Sequence, residues 1–508
     1  MTTKTSKPQS IWEALADPQS VAAILILYCA VHFLVRLVVT PNFTLDESEQ
    51  MLFSQSLQWG YRFRHPPLIT WLTWATLSGT GNSRTAFFLL KYVLMGSGFV
   101  AYFAAARIVI RDVRLAALST FALLTTYVIG YLPHTDLMHT VLLTSMLAAF
   151  LWAIGHVLTR ATHNDYLLLG LVTGFGILSK YIFIVLPIAF AVAIVLTPHF
   201  RERIKWRPLI GAVLLAIAIV APYAWWASAH EYSLFGLAVK ASRSAGPAID
   251  PLGWLLGVGN LGLALIEFVI PAGLILPLLY WRACKPLAGL GDEDERAWLR
   301  VYEITMLVGA AIMLGAVFFV GAEFFKPRWM HQVLMPLPIY FFLRVKLAAA
   351  SERSNKIFVG IALGFAVVAV IARVVVFQTH GEHCKGCREY WPMQNYADVF
   401  RRSGFDRGTV LAADYDLAGN LRYVFPDSRV LTPGYPVAVF GPPIAGPCMV
   451  VWEGDRPLPD ETKTYLTDAL GAKLSDNAVR GDVEATLLTT KNRRDRMNFI
   501  LLPQGSCK

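Results

Sequence analysis

Eleven apolar segments fill the first three quarters of this chain, and most are close to the length at which a helix crosses a lipid bilayer. The hydrocarbon core requires about 20 consecutive, predominantly apolar residues per helix. Of the 508 residues 55% are hydrophobic and only 16% are charged, with a mean hydropathy of +0.49, which excludes an ordinary soluble protein. The sequence therefore predicts a mainly α, polytopic membrane helix bundle with about eleven spans, at 21–40, 86–106, 115–132, 137–158, 166–179, 181–197, 208–229, 252–280, 303–322, 330–344 and 357–377. The segments 166–179 and 330–344 are short, so we expect them to be tilted, broken or partly re-entrant.

Lysine and arginine collect in one set of alternate loops, for example at 107–114, 201–207 and 344–356. Because short loops rich in these residues stay on the cytoplasmic side, this set is predicted to be cytoplasmic. The opposite face then carries the loop 41–85, the turn 133–136, Lys180, the loop 230–250, the turn 323–328 and everything after residue 378. All the unusual polar motifs are therefore expected on the extracytoplasmic side.

The net charge of +10 and the pI near 9.2 follow largely from this loop asymmetry. No basic stripe interleaved with aromatic residues and no nucleic-acid module is present. The charge therefore predicts no nucleic-acid partner, and a lipid headgroup or an acidic glycolipid is the more natural anionic ligand.

Residues 378–508 differ in composition from the rest of the chain. Short apolar runs at 409–413, 428–431, 448–452 and 498–502 are separated by Asp, Gly and Pro, a pattern typical of buried strands. The stretches 416–424 and 461–470 have helical spacing. We predict a transmembrane domain over 1–377, with its outer loop at 41–85, and a soluble extracytoplasmic α/β domain over 378–508.

Four of the six cysteines, Cys384, Cys387, Cys448 and Cys507, lie in this C-terminal region. An oxidising compartment would permit disulfides there. Cys384 and Cys387, with His380 and His383 nearby, are compatible with a disulfide, a zinc site or a redox pair. The sequence leaves open whether Cys384–Cys387 and Cys448–Cys507 are disulfides.

The outer loop contains two adjacent acids, Asp46 and Glu47, directly after the first span. Thr44, Asp46 and Glu47 could simply cap a helix, since acids are common in a first helical turn. Asp136, however, lies in the next outward turn, immediately before another span. Acids at two successive outer helix ends predict one shared acidic site.

Several cations accompany these acids on the predicted outer face. Arg62, Arg64 and His65 precede Pro66-Pro67 and would suit a phosphate at headgroup depth. The alternative interpretation is that the proline pair only shapes a helix start and that the cations only anchor at the interface. An ionisable residue within a span usually faces the bundle interior. The candidate phosphate-binding residues are Arg62, Arg64, His65, Lys91, Lys180 and Arg328.

These elements together resemble the glycosyltransferases of the C superfamily. The resemblance rests on Asp46-Glu47 in the first outer loop, Pro66-Pro67-Leu68 about twenty residues later, Thr135-Asp136 before a span, the stretch 174–180 and the turn 326–329. More narrowly, the chain is similar to bacterial protein O-mannosyltransferase-like enzymes and to the transferases that attach aminoarabinose or galacturonic acid to lipid A and lipopolysaccharide core.

The resemblance implies an inverting membrane glycosyltransferase of the inner membrane, with its active site and C-terminal domain facing the periplasm. It would move a sugar from a polyprenyl-phosphate donor to an acceptor on lipid A, core oligosaccharide or another glycolipid. Asp46 would be the general base or the carboxylate that orients the acceptor, Glu47 would support it, and Asp136 would complete an acidic pocket or bind a metal. No cofactor is certain, and a divalent metal, if one is used, would be held by Asp46 and Asp136.

One departure from the family pattern affects the metal. Aminoarabinose transferases carry Glu-Lys-Pro-Pro where this chain has Arg64-His65-Pro66-Pro67. The missing acid weakens a metal ligand at that position, and the phosphate role of the lysine would pass to His65 or Arg64.

Two other classes of function remain alternatives at this point. A transporter or flippase of polyprenyl-linked lipids would also need many spans, but it would place its charges near the midplane rather than in loops at one face. A protein O-glycosyltransferase would share the donor chemistry. The sequence does not identify the sugar, the acceptor, the metal dependence or the oligomeric state.

Overall fold

The computed structural model describes residues 10–62, 64–230, 251–287, 289–474 and 478–507. Most of the predicted loop 230–250 lies outside these described residues. The first half of the chain forms the helices α1 (Ile11–Ala14), α2 (Pro18–Val39), α3 (Asp46–Phe53), α4 (Leu68–Thr80), α5 (Arg84–Ile110), α6 (Val113–Leu124), α7 (Tyr127–Gly130), α8 (Leu132–Thr135), α9 (Met138–Thr159), α10 (His163–Ser179), α11 (Val185–Val195), α12 (Pro198–Arg201) and α13 (Trp206–Ala229).

The second half continues with α14 (Pro251–Val269), α15 (Ala272–Leu279), α16 (Glu293–Gly315), α17 (His331–Leu334), α18 (Leu337–Leu347), α19 (Glu352–His380), α20 (Met393–Arg402), α21 (Tyr415–Val424) and α22 (Asp460–Thr464). Short 3₁₀ turns occupy Tyr181–Ile184, Trp281–Cys284, Pro327–Trp329, Gly381–His383, Arg388–Tyr390 and Val437–Phe440, and π-helical turns occupy Ala316–Val320 and Tyr465–Ala469.

Local sequence signals set several of these helix starts. Thr162 and Asp165 form a reciprocal capping box at the start of α10, and Asp292 and Glu295 form another at the start of α16. Each box satisfies backbone N–H groups that have no partner within the helix. These two helices therefore begin where the sequence provides a capping Thr or Asp followed three residues later by an acid.

The apolar helices agree with the predicted membrane bundle. Seven helical segments of the described chain are long and apolar enough to span a bilayer, namely Pro18–Val39, Arg84–Ile110, Met138–Thr159, Trp206–Ala229, Pro251–Val269, Glu293–Val320 and Glu352–His383. Each of the eleven predicted segments contains helix, and 330–344 is broken after Leu334, as expected for a short segment. The count of eleven spans itself stays a prediction.

The C-terminal region carries a five-stranded mixed sheet in the order β2-β1-β3-β5-β4. Its strands are β1 (Thr409–Ala412), β2 (Arg429–Leu431), β3 (Cys448–Glu453), β4 (Val479–Thr486) and β5 (Arg494–Leu502). β1 pairs in parallel with β2 and β3, while β5 pairs antiparallel with β3 and β4. The four predicted strands are present. β4 was not predicted, because its side chains alternate between exposed and partly buried and form no apolar run.

The outer loop packs against this C-terminal region. Gly419 on α21 comes so close to α3 that a Cβ there would lie 2.2 Å from the carbonyl oxygen of Ser48. The side-chain amide of Asn420 accepts from the backbone N–H of Phe43 at 3.0 Å and donates to its carbonyl at 2.9 Å. Gln55 makes the same pair of bonds to Val430 on the edge strand β2, at 2.8 and 2.9 Å. The loop is thus held between the helices and the sheet.

The C-terminal cysteines are joined as Cys384–Cys387 and Cys448–Cys507. The sequence had left a disulfide, a zinc site and a redox pair open for Cys384 and Cys387. With their sulfur atoms bonded to each other, neither is a thiolate ligand for zinc. Cys29 is buried and Cys284 is exposed, and both are free.

Candidate active site

A leucine with an unusual backbone conformation lies next to each of the two predicted acidic positions. Leu45, directly before Asp46, has φ 46°, and Leu137, directly after Asp136, has φ 70°. A residue with a Cβ adopts positive φ only at a cost of about 1–3 kcal/mol. The N–H of Leu45 donates to Asp416 Oδ1 of α21 at 2.6 Å, so contacts from the C-terminal region help to hold this conformation.

Asp46 and Glu47 lie in the first turn of α3, but neither caps it. The N-cap residue is Leu45, and no side chain makes a capping hydrogen bond there. A side-chain cap is therefore absent at this helix start, but both acids do lie in the first helical turn, as the alternative interpretation expected. The proline pair directly precedes a helix, since Pro67 is the N-cap of α4.

Glu47 is fully buried between two cations. Its carboxylate lies 2.5 Å from Arg36 of α2 and 2.7 Å from Lys91 of α5, and all three side chains are at most 1% exposed. Burial opposes ionisation of Glu47, but the two cations outweigh it and hold the pKa of this carboxyl below its ordinary value. Lys91 also donates to the backbone carbonyl of Asp136 at 2.9 Å. This network joins the two acidic positions through the bundle.

Asp136 is buried beside the other acids. Its Oδ1 has no hydrogen-bond partner among the described residues. Burial raises the pKa of Asp136 well above its ordinary value, and the nearby carboxylates of Asp46 and Glu47 raise it further. Both effects favour the protonated form of Asp136, in which the carboxyl group can donate a hydrogen bond.

Asp46 is only partly buried and forms no ion pair within the described chain. Around it lie four cations that likewise have no carboxylate partner there, namely Arg64, Lys180, Lys326 and Arg328. The pKa of Lys180 is lowered to about 8, chiefly by burial; Asp46 opposes this shift, and Arg328, Arg64 and Lys326 add to it. The ammonium of Lys180 also donates to Thr140 Oγ1 at 3.3 Å. Together these five residues form a polar cluster, the candidate pocket, in which no ion pair between a carboxylate and a cation is made within the described chain.

Other predicted phosphate-binding residues have protein partners. Lys91 is 0% exposed and bonded to Glu47, so its ammonium is not available to a ligand. Arg62 lies 2.5 Å from Glu49 Oε1 and 2.8 Å from the hydroxyl of Tyr435. His65 stacks on His139, with ring centroids 4.0 Å apart. Of the six predicted residues, Arg64, His65, Lys180 and Arg328 form no ion pair with a carboxylate in the part of the chain that the structure describes, and His65 is instead stacked on His139.

Several site residues had not been predicted. Arg36 lies within the first predicted span and could have been found by the rule that singled out Lys91. Glu49 is one helical turn after Asp46 and so shares its face of α3. Asp416 and Tyr435 reach the site from the C-terminal region, about 370 to 390 residues away in sequence from their partners, and no local signal marks them.

A family model described as dolichyl-phosphate-mannose-protein mannosyltransferase matches residues 64–226. The chain is also similar to two curated proteins of Rhizobium johnstonii over most of its length. It is 30% identical over 466 residues to lipopolysaccharide core galacturonosyltransferase RgtA, covering 88% of this chain and 90% of that protein. It is also 30% identical over 475 residues to lipopolysaccharide core galacturonosyltransferase RgtB, covering 91% of this chain and 94% of that protein.

Two further similarities are more distant. Lipid A galacturonosyltransferase RgtD of the same organism is 24% identical over 275 residues, which covers 52% of this chain and 54% of that protein. Among solved structures, the archaeal oligosaccharyltransferase AglB from Archaeoglobus fulgidus, in complex with an inhibitory peptide and a dolichol-phosphate, superposes with a TM-score of 0.41 at 12% identity, over 86% of this chain and 69% of that one. No residue role is taken from that structure.

Proposed function

This chain belongs to the family of the lipopolysaccharide core galacturonosyltransferases, membrane glycosyltransferases of the C superfamily, and we propose that it transfers galacturonic acid from a polyprenyl-phosphate donor. The proposed acceptor is a sugar of lipopolysaccharide core or lipid A. The reaction would take place on the periplasmic side of the inner membrane, where the lysine and arginine distribution puts the outer loop.

One observation carries the proposal: within the described chain the carboxylate of Asp46 forms no ion pair, and it stands among Arg64, Lys180, Lys326 and Arg328. Glycosyl transfer from a lipid phosphate needs a base for the acceptor hydroxyl and positive charge on the departing phosphate. This pocket offers both within one half-open site. Glu47 and Lys91 instead form an ion pair with each other in the protein interior.

In the proposed reaction Asp46 removes the proton of the acceptor hydroxyl as its oxygen attacks the anomeric carbon. The bond between that carbon and the phosphate oxygen breaks, and the polyprenyl phosphate leaves with the electron pair. Arg64, Lys180 and Arg328 stabilise the charge that develops on the phosphate. The raised pKa of Asp136 favours its neutral form near Asp46, so that the negative charge of this pair resides on the base. Attack opposite to the leaving group inverts the anomeric configuration.

The number of cations also favours an acidic sugar. A polyprenyl-phosphate sugar carries one negative charge on its phosphate, and a galacturonate adds a second. Four cations against one carboxylate leave the pocket with a net positive charge that suits such a dianion. An aminoarabinose donor would bring a further positive charge into the same place and would be repelled.

Purified full-length protein in proteoliposomes, supplied with labelled polyprenyl-phosphate sugars and with lipid A or core acceptors, tests the proposal. We expect transfer of galacturonic acid, inverted at the anomeric carbon, and little transfer of aminoarabinose. Asp46→Asn should reduce the rate by about 10²- to 10⁴-fold. Asp398→Asn, on the exposed face of α20, is the matched control.

Normal transfer by Asp46→Asn would remove this residue from the chemistry. Movement of the intact lipid-linked sugar between leaflets without transfer would indicate a flippase, and transfer to protein would indicate a protein O-glycosyltransferase.

A further inference from the structure

Beside the proposed catalytic pocket, three potential metal ligands converge from three separate elements. Glu49 is on α3, His65 lies in the turn before α4, and His139 is in the first turn of α9. Each offers a donor atom, and these atoms all lie within 4.8 Å of one another. In the part of the chain that the structure describes, this is the one group of three or more such residues, and it includes neither Asp46 nor Asp136.

The carboxylate of Glu49 is oriented for this purpose. Its Oε1 lies 2.5 Å from Arg62 and 3.2 Å from the hydroxyl of Tyr435. Its Oε2 instead points to His139 Nε2 at 3.6 Å, which is too long for a hydrogen bond. Two ligands bonded at about 2.0 Å to a tetrahedral ion lie about 3.3 Å apart. Arg62 and Tyr435 thus fix one oxygen and leave the other directed into the cluster, as outer-shell partners of metal ligands do.

Packing accounts for only part of the arrangement. The two imidazoles stack with an interplanar angle of 24°, and the amide nitrogen of Gln50 lies 3.1 Å from His139 Nε2. Nevertheless Nδ1 of His65 is buried without a partner among the described residues, and His139, only 1% exposed, faces Glu49 through its Nε2. Buried nitrogen atoms of this kind are costly unless a ligand satisfies them. A metal would displace the Gln50 amide, whose oxygen stays anchored by Thr70 at 2.6 Å.

We propose that Glu49, His65 and His139 bind a divalent transition-metal ion of the Zn²⁺ class. One carboxylate oxygen and two imidazole nitrogens form a donor set that such ions prefer over Mg²⁺ or Ca²⁺. Three protein ligands leave the fourth tetrahedral position open. The ion joins His65 to α3 and α9, and in this way it fixes the adjacent Arg64 of the neighbouring pocket. The site stands on its own geometry and does not depend on the proposed sugar transfer.

The test uses full-length, tag-free protein in detergent, stripped with a chelator and titrated with Zn²⁺ against a chromophoric competitor. We expect one site per chain, and we expect His65→Asn and His139→Gln each to weaken Zn²⁺ binding by about 100-fold or more, at least the loss seen for outer-shell partners. His199→Ala is the matched control, because His199 also lies beside two carboxylates, 3.1 Å from Glu293 and 2.5 Å from Asp294. That variant should bind Zn²⁺ like the original chain.

A second readout keeps the proposal testable if a variant folds poorly. Zn²⁺ should raise the thermal unfolding temperature of the original chain by mass action, and Co²⁺ in its place should give the visible absorption of a tetrahedral site. Glu49→Gln keeps the partners of Oε1 and should lose both effects. The proposal is overturned if the original chain has no stoichiometric site. It is also overturned if His65→Asn, His139→Gln and Glu49→Gln all bind Zn²⁺ as tightly as the original chain. Because binding is measured without substrates, these outcomes are independent of whether galacturonic acid is transferred.

Discussion

At the scale of single residues, Glu47 illustrates how a membrane protein holds a charge in its interior. One carboxylate lies between two cations, Arg36 and Lys91, and none of the three side chains is exposed. Buried charges are tolerated when they are paired, whereas removal of one partner leaves another uncompensated. The group as a whole carries one excess positive charge, so its members are not equivalent.

Glu47→Gln should destabilise the protein more than Lys91→Met. The first change leaves two buried cations without a counter-charge, at a cost of about 3–5 kcal/mol, whereas the second leaves Arg36 and Glu47 as a balanced pair. Thermal unfolding of purified protein measures both, with the exposed Glu461→Gln as control. A larger loss for Lys91→Met would contradict this account of the charges.

Lys180 should make donor binding sensitive to alkaline pH. Burial lowers the pKa of this ammonium to about 8, so its positive charge is present below pH 8 and is lost as the pH rises through that value. KM for the donor should therefore rise by up to about tenfold per pH unit above 8. Lys180→Arg keeps its charge throughout this range, so a plot of its KM for the donor against pH should show no alkaline limb, that is, no rise above pH 8. An identical alkaline limb in both proteins would assign it to another group.

At the scale of elements, the position of Asp46 depends on how α3 meets α21. The two helices approach so closely at Gly419 that a side chain there would enter the backbone of Ser48. Asn420 binds both backbone groups of Phe43 in the adjoining segment. A helix of only eight residues has little stability of its own, so this contact decides where its first turn points.

Gly419→Ala should lower transfer by about tenfold or more, because displacement of a catalytic group by about 1 Å can cost 10²-fold. Gly360→Ala is the matched control, since nothing lies within 4 Å of a Cβ at that position in α19, and it should stabilise the helix by up to about 1 kcal/mol. Initial transfer rates and unfolding temperatures check both expectations. Full activity in Gly419→Ala would show that α3 tolerates the shift.

At the scale of the whole molecule, the proposed orientation puts the sheet and the outer loop on one side of the membrane. The helices alone do not show which end faces the cytoplasm. The orientation is inferred from the lysine and arginine asymmetry of the loops. Background reactivity is small, because Cys284 is the one exposed free cysteine in the described chain. Cysteine labelling can therefore decide the direction.

In a Cys284→Ser background, Asp406→Cys should react with a membrane-impermeant maleimide added to the periplasmic side. Arg201→Cys should react only after the membrane is disrupted. Both positions are exposed, so a difference between them reports on sidedness and not on burial. The reverse pattern would place the active-site loop in the cytoplasm and end the proposal of a periplasmic reaction.

Much of this architecture follows from sequence patterns that are local. Apolar length predicts helices in a bilayer, and each of the eleven segments contains helix. Short apolar runs between turn residues predict four of the five strands, but β4 has no such run. Acids and cations in successive outer loops identify Asp46, Asp136, Lys180 and Arg328 as one polar group, because consecutive spans return the chain to the same face.

The roles within that group were not accessible in the same way. Sequence alone determined a membrane-embedded helix bundle, a C-terminal sheet and a polar loop that carries Asp46, since hydrophobic length and turn chemistry act over a few neighbouring residues. Only the tertiary structure separated Glu47 and Lys91 from Asp46 and Lys180. The first two form an ion pair in the interior, whereas the other two form no ion pair within the described chain. The tertiary structure alone also brought Glu49, His65 and His139 together. Charges pair according to distance and burial in space, and residues far apart in the chain decide both.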